Sequence, residues 1–60
     1  MWKVKANDPG GKAVTFACGT DEQALERAQE LAGRGFRDIY VVDLRGQVRT
    51  LAAFARLMGE

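Results

Sequence analysis

Thr20-Asp21-Glu22-Gln23-Ala24-Leu25-Glu26-Arg27-Ala28-Gln29-Glu30-Leu31-Ala32 is the stretch from which the fold can be read, because both ends of a helix are encoded around it. Thr20 followed three residues later by Gln23 is a capping box, in which the hydroxyl accepts from the Gln23 amide while the Gln23 side chain reaches back. Asp21 and Glu22 fall in the first turn, where the macrodipole favours negative charge. Ala24, Leu25, Ala28, Leu31 and Ala32 recur at the spacing of one apolar stripe, with Glu26, Arg27, Gln29 and Glu30 on the water side. Gly33 and Gly35 supply the stop. The small residues at 24, 28 and 32 let such a helix lie close against a sheet.

Working outward toward the N-terminus, Trp2-Lys3-Val4-Lys5-Ala6 alternates apolar and basic residues, the period of a half-buried strand. Ala13 to Cys18 alternates again, with Val14, Phe16 and Cys18 on one side. The intervening Asn7-Asp8-Pro9-Gly10-Gly11-Lys12 is dense in turn formers, so the two runs predict an antiparallel hairpin. On the other side of the helix, Phe36 to Leu44 is rich in β-branched and aromatic residues and apolar on both faces. Ile39 and Val41 lie on one face, and Tyr40, Val42 and Leu44 on the other, which predicts a central strand or one whose second face is also covered. Arg45-Gly46 reads as a tight turn, Gln47 to Thr50 as a short fourth strand, and Thr50 as the cap of a terminal helix.

The expected class is therefore α+β: an antiparallel sheet of three to four strands in the order ββαββα, one helix packed on a face and a short C-terminal helix, forming one domain over residues 1–60. The final segment, Leu51 to Met58, is apolar almost all the way round. Leu51, Phe54, Ala55 and Met58 form one stripe, Ala52, Ala53 and Leu57 lie outside it, and Arg56 is its only charge. Two berths suit this helix: the Tyr40/Val42/Leu44 face of the sheet, or a neighbouring chain. A domain of this size buries only about 60% of the surface its unfolded chain exposes. With one Cys and no His it has neither an internal disulfide nor a Cys/His metal site. The expectation is association through Phe54, Leu57 and Met58, with Tyr40, Val42 and Leu44 as a second patch. The partner is a second copy in a homodimer, or another protein.

The charge balance excludes several chemistries. Net charge is +1, which is no global footprint for nucleic acid. The distribution is uneven: Asp21, Glu22, Glu26 and Glu30 outweigh Arg27 in the first helix, whereas Arg34, Arg37, Arg45, Arg49 and Arg56 outweigh Asp38 and Asp43 after it. No run approaches the roughly 20 apolar residues that span a bilayer, so no membrane partner is expected. The lone cysteine and the absence of a signal pattern point to a reducing, cytoplasmic setting. Cys18 precedes a helix N-terminus, where a thiolate is stabilised. Yet it shares parity with Val14 and Phe16 and has no histidine or second cysteine to work with, so the core reading is preferred. The Asp8-Pro9-Gly10-Gly11-Lys12 loop joins two strands instead of opening a helix, which is a hairpin turn and not a phosphate cradle. Asp38 and Asp43, five apart on a strand, point to opposite faces. No catalytic, cofactor-binding or metal-ligating residue is expected, and the chain reads as non-enzymatic. The alternative is a nucleic-acid module in which Lys3, Lys5, Arg45 and Arg49 share one sheet face with Tyr40 as a stacking aromatic. Against it, charged residues at exposed strand positions commonly serve to keep sheets soluble. Trp2 and Phe54 are core or interface anchors.

Taken together, Trp2-x-Val4, the Gly-rich turn, Thr20-x-x-Gln23-Ala24-Leu25-x-x-Ala28-x-x-Leu31-Ala32, Ile39 to Val42 and Gly46-Gln47-Val48-Arg49 resemble a family of short bacterial ββαββ domains of uncharacterised function. The resemblance spans about residues 2–50. Its motifs are structural, so it implies a fold and no activity, and the terminal apolar helix lies outside it. The hairpin followed by Thr20 to Leu31 is also similar to the N-terminal part of HicB-type antitoxins, which are oligomeric and bind a small toxin protein. The hairpin here lacks that family's usual acidic and aromatic residues. Neither resemblance carries a functional residue over.

Overall fold

The computed structural model describes residues 1–59. Its elements are β1 (Trp2–Asn7), β2 (Ala13–Cys18), α1 (Asp21–Gly33), β3 (Arg37–Val42), β4 (Val48–Thr50) and α2 (Leu51–Leu57), the expected ββαββα order. The four strands form one antiparallel sheet in the order β2-β1-β3-β4. β1 and β3 are the two inner strands, β1 flanked by β2 and β3 and β3 by β1 and β4, so the third strand is central as expected. α1 lies over β1 and β3, and α2 packs beside α1 over β3 and β4. Their apolar stripes meet Val4, Ala6 and Val41, so both helices cover the same face of the sheet.

Both hairpins use one turn design. In the first, the Asp8 amide donates to the Lys12 carbonyl (2.8 Å) and the Gly11 amide to the Asp8 carbonyl (2.9 Å), while the Lys12 amide donates to Asp8 Oδ1 (2.8 Å). In the second, the Asp43 amide donates to the Gln47 carbonyl (3.0 Å) and the Gly46 amide to the Asp43 carbonyl (3.1 Å). Asp43 Oδ1 accepts from the amides of Arg45 (2.8 Å) and Gln47 (2.9 Å). Gly11 (φ +89°) and Gly46 (φ +84°) occupy the left-handed position that completes a three-residue loop. This corrects the two-residue Arg45-Gly46 turn. That turn would set Arg49 opposite Val42; the longer loop pairs Val42 with Val48 and Val41 with Arg49. A one-residue slip in register exchanges the faces, and it moves Arg49 to the helix side. It also shortens the third strand to Arg37–Val42, leaving Leu44 in the turn.

α1 starts and stops as its sequence directs. The Gln23 amide donates to Thr20 Oγ1 (3.1 Å), and Gln23 Oε1 accepts from the Gly19 amide (3.0 Å), one residue earlier than the usual box. At the other end the Phe36 amide donates to the Leu31 carbonyl (3.1 Å) and the Gly35 amide to the Ala32 carbonyl (3.3 Å), with Gly35 at φ +87°. That is a Schellman stop. Ala24, Leu25, Ala28 and Leu31 are buried as expected, but Ala32 is exposed. β3 carries a bulge: between Lys5 and Asn7 the register to β3 shifts, Asp38 adopts φ +52°, and Asn7 Nδ2 donates to Asp38 Oδ2 (3.1 Å). Aspartate tolerates this left-handed geometry better than most residues do.

α2 takes neither expected berth. Thr50 Oγ1 caps it by accepting from the Ala53 amide (3.2 Å). The helix then folds back within the chain onto the Val4/Val41 face, and Phe54 is 1% exposed against Trp2, with ring centroids 5.5 Å apart. The space exists because α1 covers the β1–β3 region and leaves the β4 side of that face for a second helix. Phe54 is thus a core side chain and no contact residue, Met58 is half-buried against the same cluster, and only Leu57 of that trio is exposed. Removing the Phe54 ring is expected to destabilise by about 3–5 kcal/mol. That matches the roughly 3–5 kcal/mol available to a core of this size. Phe54→Ala should therefore be largely unfolded by circular dichroism in water, while Phe54→Leu retains a cooperative urea transition.

Candidate interaction surface

With both helices on one side, the opposite face of the sheet meets solvent. Two cross-strand rows define it. Thr15, Lys5, Tyr40 and Thr50 form one row, and Ala17, Lys3, Val42 and Val48 form the next. Lysines hold the centre, the β2 edge is small and neutral, and an apolar corner lies toward β4. Tyr40 is 39% exposed, Val48 58%, and Leu44 in the adjoining turn 66%. Tyr40 and Val42 therefore share one surface with Leu44 next to it, as the sequence suggested, whereas Leu57 sits apart on the helix layer. Val48 belongs to the same corner and was missed. The Asp-x-x-Gly repeat at 8–11 and 43–46 was the signal that would have set its parity.

The basic set does not assemble. Lys3 and Lys5 are on the open face beside Tyr40, Arg45 is in the β3–β4 turn, and Arg49 is on the helix side. There Arg49 Nη1 donates to Asp43 Oδ2 (2.8 Å) and Nη2 to Gln47 Oε1 (3.0 Å). Cys18 is buried, next to a polar groove lined by Ala17, Gln23, Glu26, Arg27 and Glu30. Arg27 lies 5.3 Å above the Phe16 ring and pairs with Glu30 (3.5 Å), which also holds Arg34 (2.8 Å). Asp38 and Asp43 sit at opposite ends of β3, one in the bulge and one in the turn.

The fold biases the ionisation of Asp43. The Arg49 hydrogen bond holds its carboxyl below the ordinary range; partial burial pushes the other way, and the Gln47 and Arg45 amides and the Arg49 charge add to the lowering. A carboxylate lowered in the folded state stabilises fully above its unfolded value of about 4 and loses that contribution as pH falls through the folded value. Urea midpoints of the wild-type chain are expected to drop below about pH 4 more steeply than those of Asp43→Asn, which lacks the titration. Parallel profiles would assign the acid loss to other groups.

Comparison of the chain with protein-family models, with curated proteins and with solved structures returns no match.

Proposed function

We propose that this chain is a non-enzymatic domain that acts by protein–protein contact and associates with a second copy of itself. The observation that carries the reading is the one-sided fold: two helices cover one sheet face and leave the other uncovered, with Tyr40 and Val48 exposed on it and Val42 half-buried between them. Exposed apolar side chains clustered in this way mark contact surfaces more often than singly scattered ones do. The non-enzymatic part rests on the sequence, which holds no histidine and no nucleophile–base pair. A cytoplasmic setting rests on the single cysteine. No helix among the described residues is long and apolar enough to cross a membrane.

Size decides how strong such contact can be. Four strands about 4.8 Å apart and about 20 Å long project to about 300–400 Å². Even with side-chain relief this stays below the roughly 800 Å² per partner of a standard interface. Any contact made by a chain of this size, through this face or through a strand edge, is accordingly expected in the micromolar range. Size-exclusion chromatography with light scattering should give a dimer mass at high micromolar concentration, and a monomer throughout would overturn the reading.

A second reading has one observation in its favour: Lys5 is the direct cross-strand neighbour of Tyr40, with Lys3 one row away. A base stacked on the ring would place its phosphates near both ammonium groups. It predicts binding to single-stranded oligonucleotides at about 50 mM salt, weakening steeply as salt rises. Lys3→Glu and Lys5→Glu should abolish that binding, while Arg49→Gln should leave it intact because Arg49 is on the other face. Absence of binding at low salt removes this reading.

A further inference from the structure

The two edges of the sheet are protected very differently. β4 is three residues long and turns directly into α2, which leaves little backbone to pair with. β2 spans Ala13–Cys18 and has a partner on one side only. It contains no charge and no proline, the two devices that most often block an edge from pairing.

The hairpin bonds show which of its groups point outward. Asp8 and Lys12 form a hydrogen-bonded pair at the turn. Bonded and non-bonded pairs alternate along an antiparallel ladder, so Val14, Phe16 and Cys18 direct their amides and carbonyls at β1. Ala13, Thr15 and Ala17 direct theirs away from the sheet. The same alternation is consistent through β3 and β4, where Asp43 and Gln47 form the equivalent closing pair.

Building on the proposed self-association, we infer that the two copies meet at the β2 edge, which leaves the open Tyr40/Val42/Val48 face for contact with another protein: two copies pair their β2 strands antiparallel about a two-fold axis at Thr15, joining two four-stranded sheets into one of eight. This register is the one that engages all three outward residues, matching Ala13 with Ala17 of the second copy and Thr15 with its own equivalent. Six hydrogen bonds result. On the open face it sets threonine opposite threonine, and on the helix face it sets Phe16 opposite the second copy's Val14; both kinds of pair are favourable across strands. Val14 and Phe16 are only half-buried in the single chain, so the pairing completes their cover. The rim of α1 beside this edge carries Glu26, Arg27 and Glu30, charges of both signs, so it presents no block of like charge to a second copy. The contact is isologous and closes at two copies.

Thr15→Pro tests this, because the amide it removes takes no part in the β1–β2 ladder while the proline ring blocks the incoming strand. Sedimentation equilibrium should show the wild-type dimer weakened by at least about tenfold in Thr15→Pro, with the far-ultraviolet circular dichroism of the chain retained. Thr15→Lys, which opposes like charges at the axis, should act in the same direction, and Tyr40→Ala should leave the dimer intact. Hydrogen exchange reads the wild-type chain directly: the amides of Ala13, Thr15 and Ala17 should slow as concentration rises. A dimer that survives both Thr15 substitutions, or that leaves those amides unprotected, overturns the β2 edge while self-association stands. A wild-type monomer at high micromolar concentration overturns both. If Thr15→Pro fails to fold, Thr15→Lys and the exchange of the wild-type amides decide.

Discussion

Phe54 is the wedge on which the hydrophobic layer depends. It arrives from the last helix, is nearly inaccessible to water, and fills the space bounded by Trp2, α1 and the β3–β4 side of the sheet. The rest of the fully buried set is small: Ala6, Cys18, Ala24 and Ala28 stand beside Val4, Leu25, Leu31 and Val41. Such a core has no reserve of bulky side chains, so α2 must be recruited to the same face as α1 for the layer to close. None of the described elements covers the other face. The open sheet surface and the internal position of α2 are two sides of one constraint, the limited apolar area of a short chain.

The second determinant is the pair of aspartate-closed turns. Asp8 and Asp43 each order a three-residue loop through their own carboxylate and a left-handed glycine. Loop length sets register, and register sets which side chain meets water. That is why Val48 and Thr50 decorate the open face and Arg49 does not. Arg49 is then retained under the sheet by the carboxylate that orders the turn, so one aspartate serves both the backbone and the neighbouring charge.

Much of this was legible from local chemistry. The Thr20/Gln23 cap, the Ala/Leu stripe, the Gly35 stop, the β1–β2 alternation and the Thr50 cap depend on residues close in sequence, and each appears in the structure. What was not legible depended on distance or on a single residue of spacing. An apolar stripe such as Leu51/Phe54/Ala55/Met58 states that a helix is covered without stating by what, so the berth of α2 followed only from the room left beside α1. The position of Arg49 hinged on whether the turn held two residues or three. Dispersing Lys3, Lys5, Arg45 and Arg49 over two faces and a loop is the direct result. Ala32 and Leu44 were over-assigned to apolar faces because periodicity continues on paper past the point where an element ends.

The packing of Trp2 on Phe54 joins the first strand to the final helix, and Trp2 is the only tryptophan in the sequence. Its fluorescence therefore reports the seating of α2 on the sheet. Because the layer does not close without that helix, its loosening moves the indole into water and reddens the emission as the fold is lost. The molecule thus carries a built-in optical gauge at the junction where its thin interior is closed.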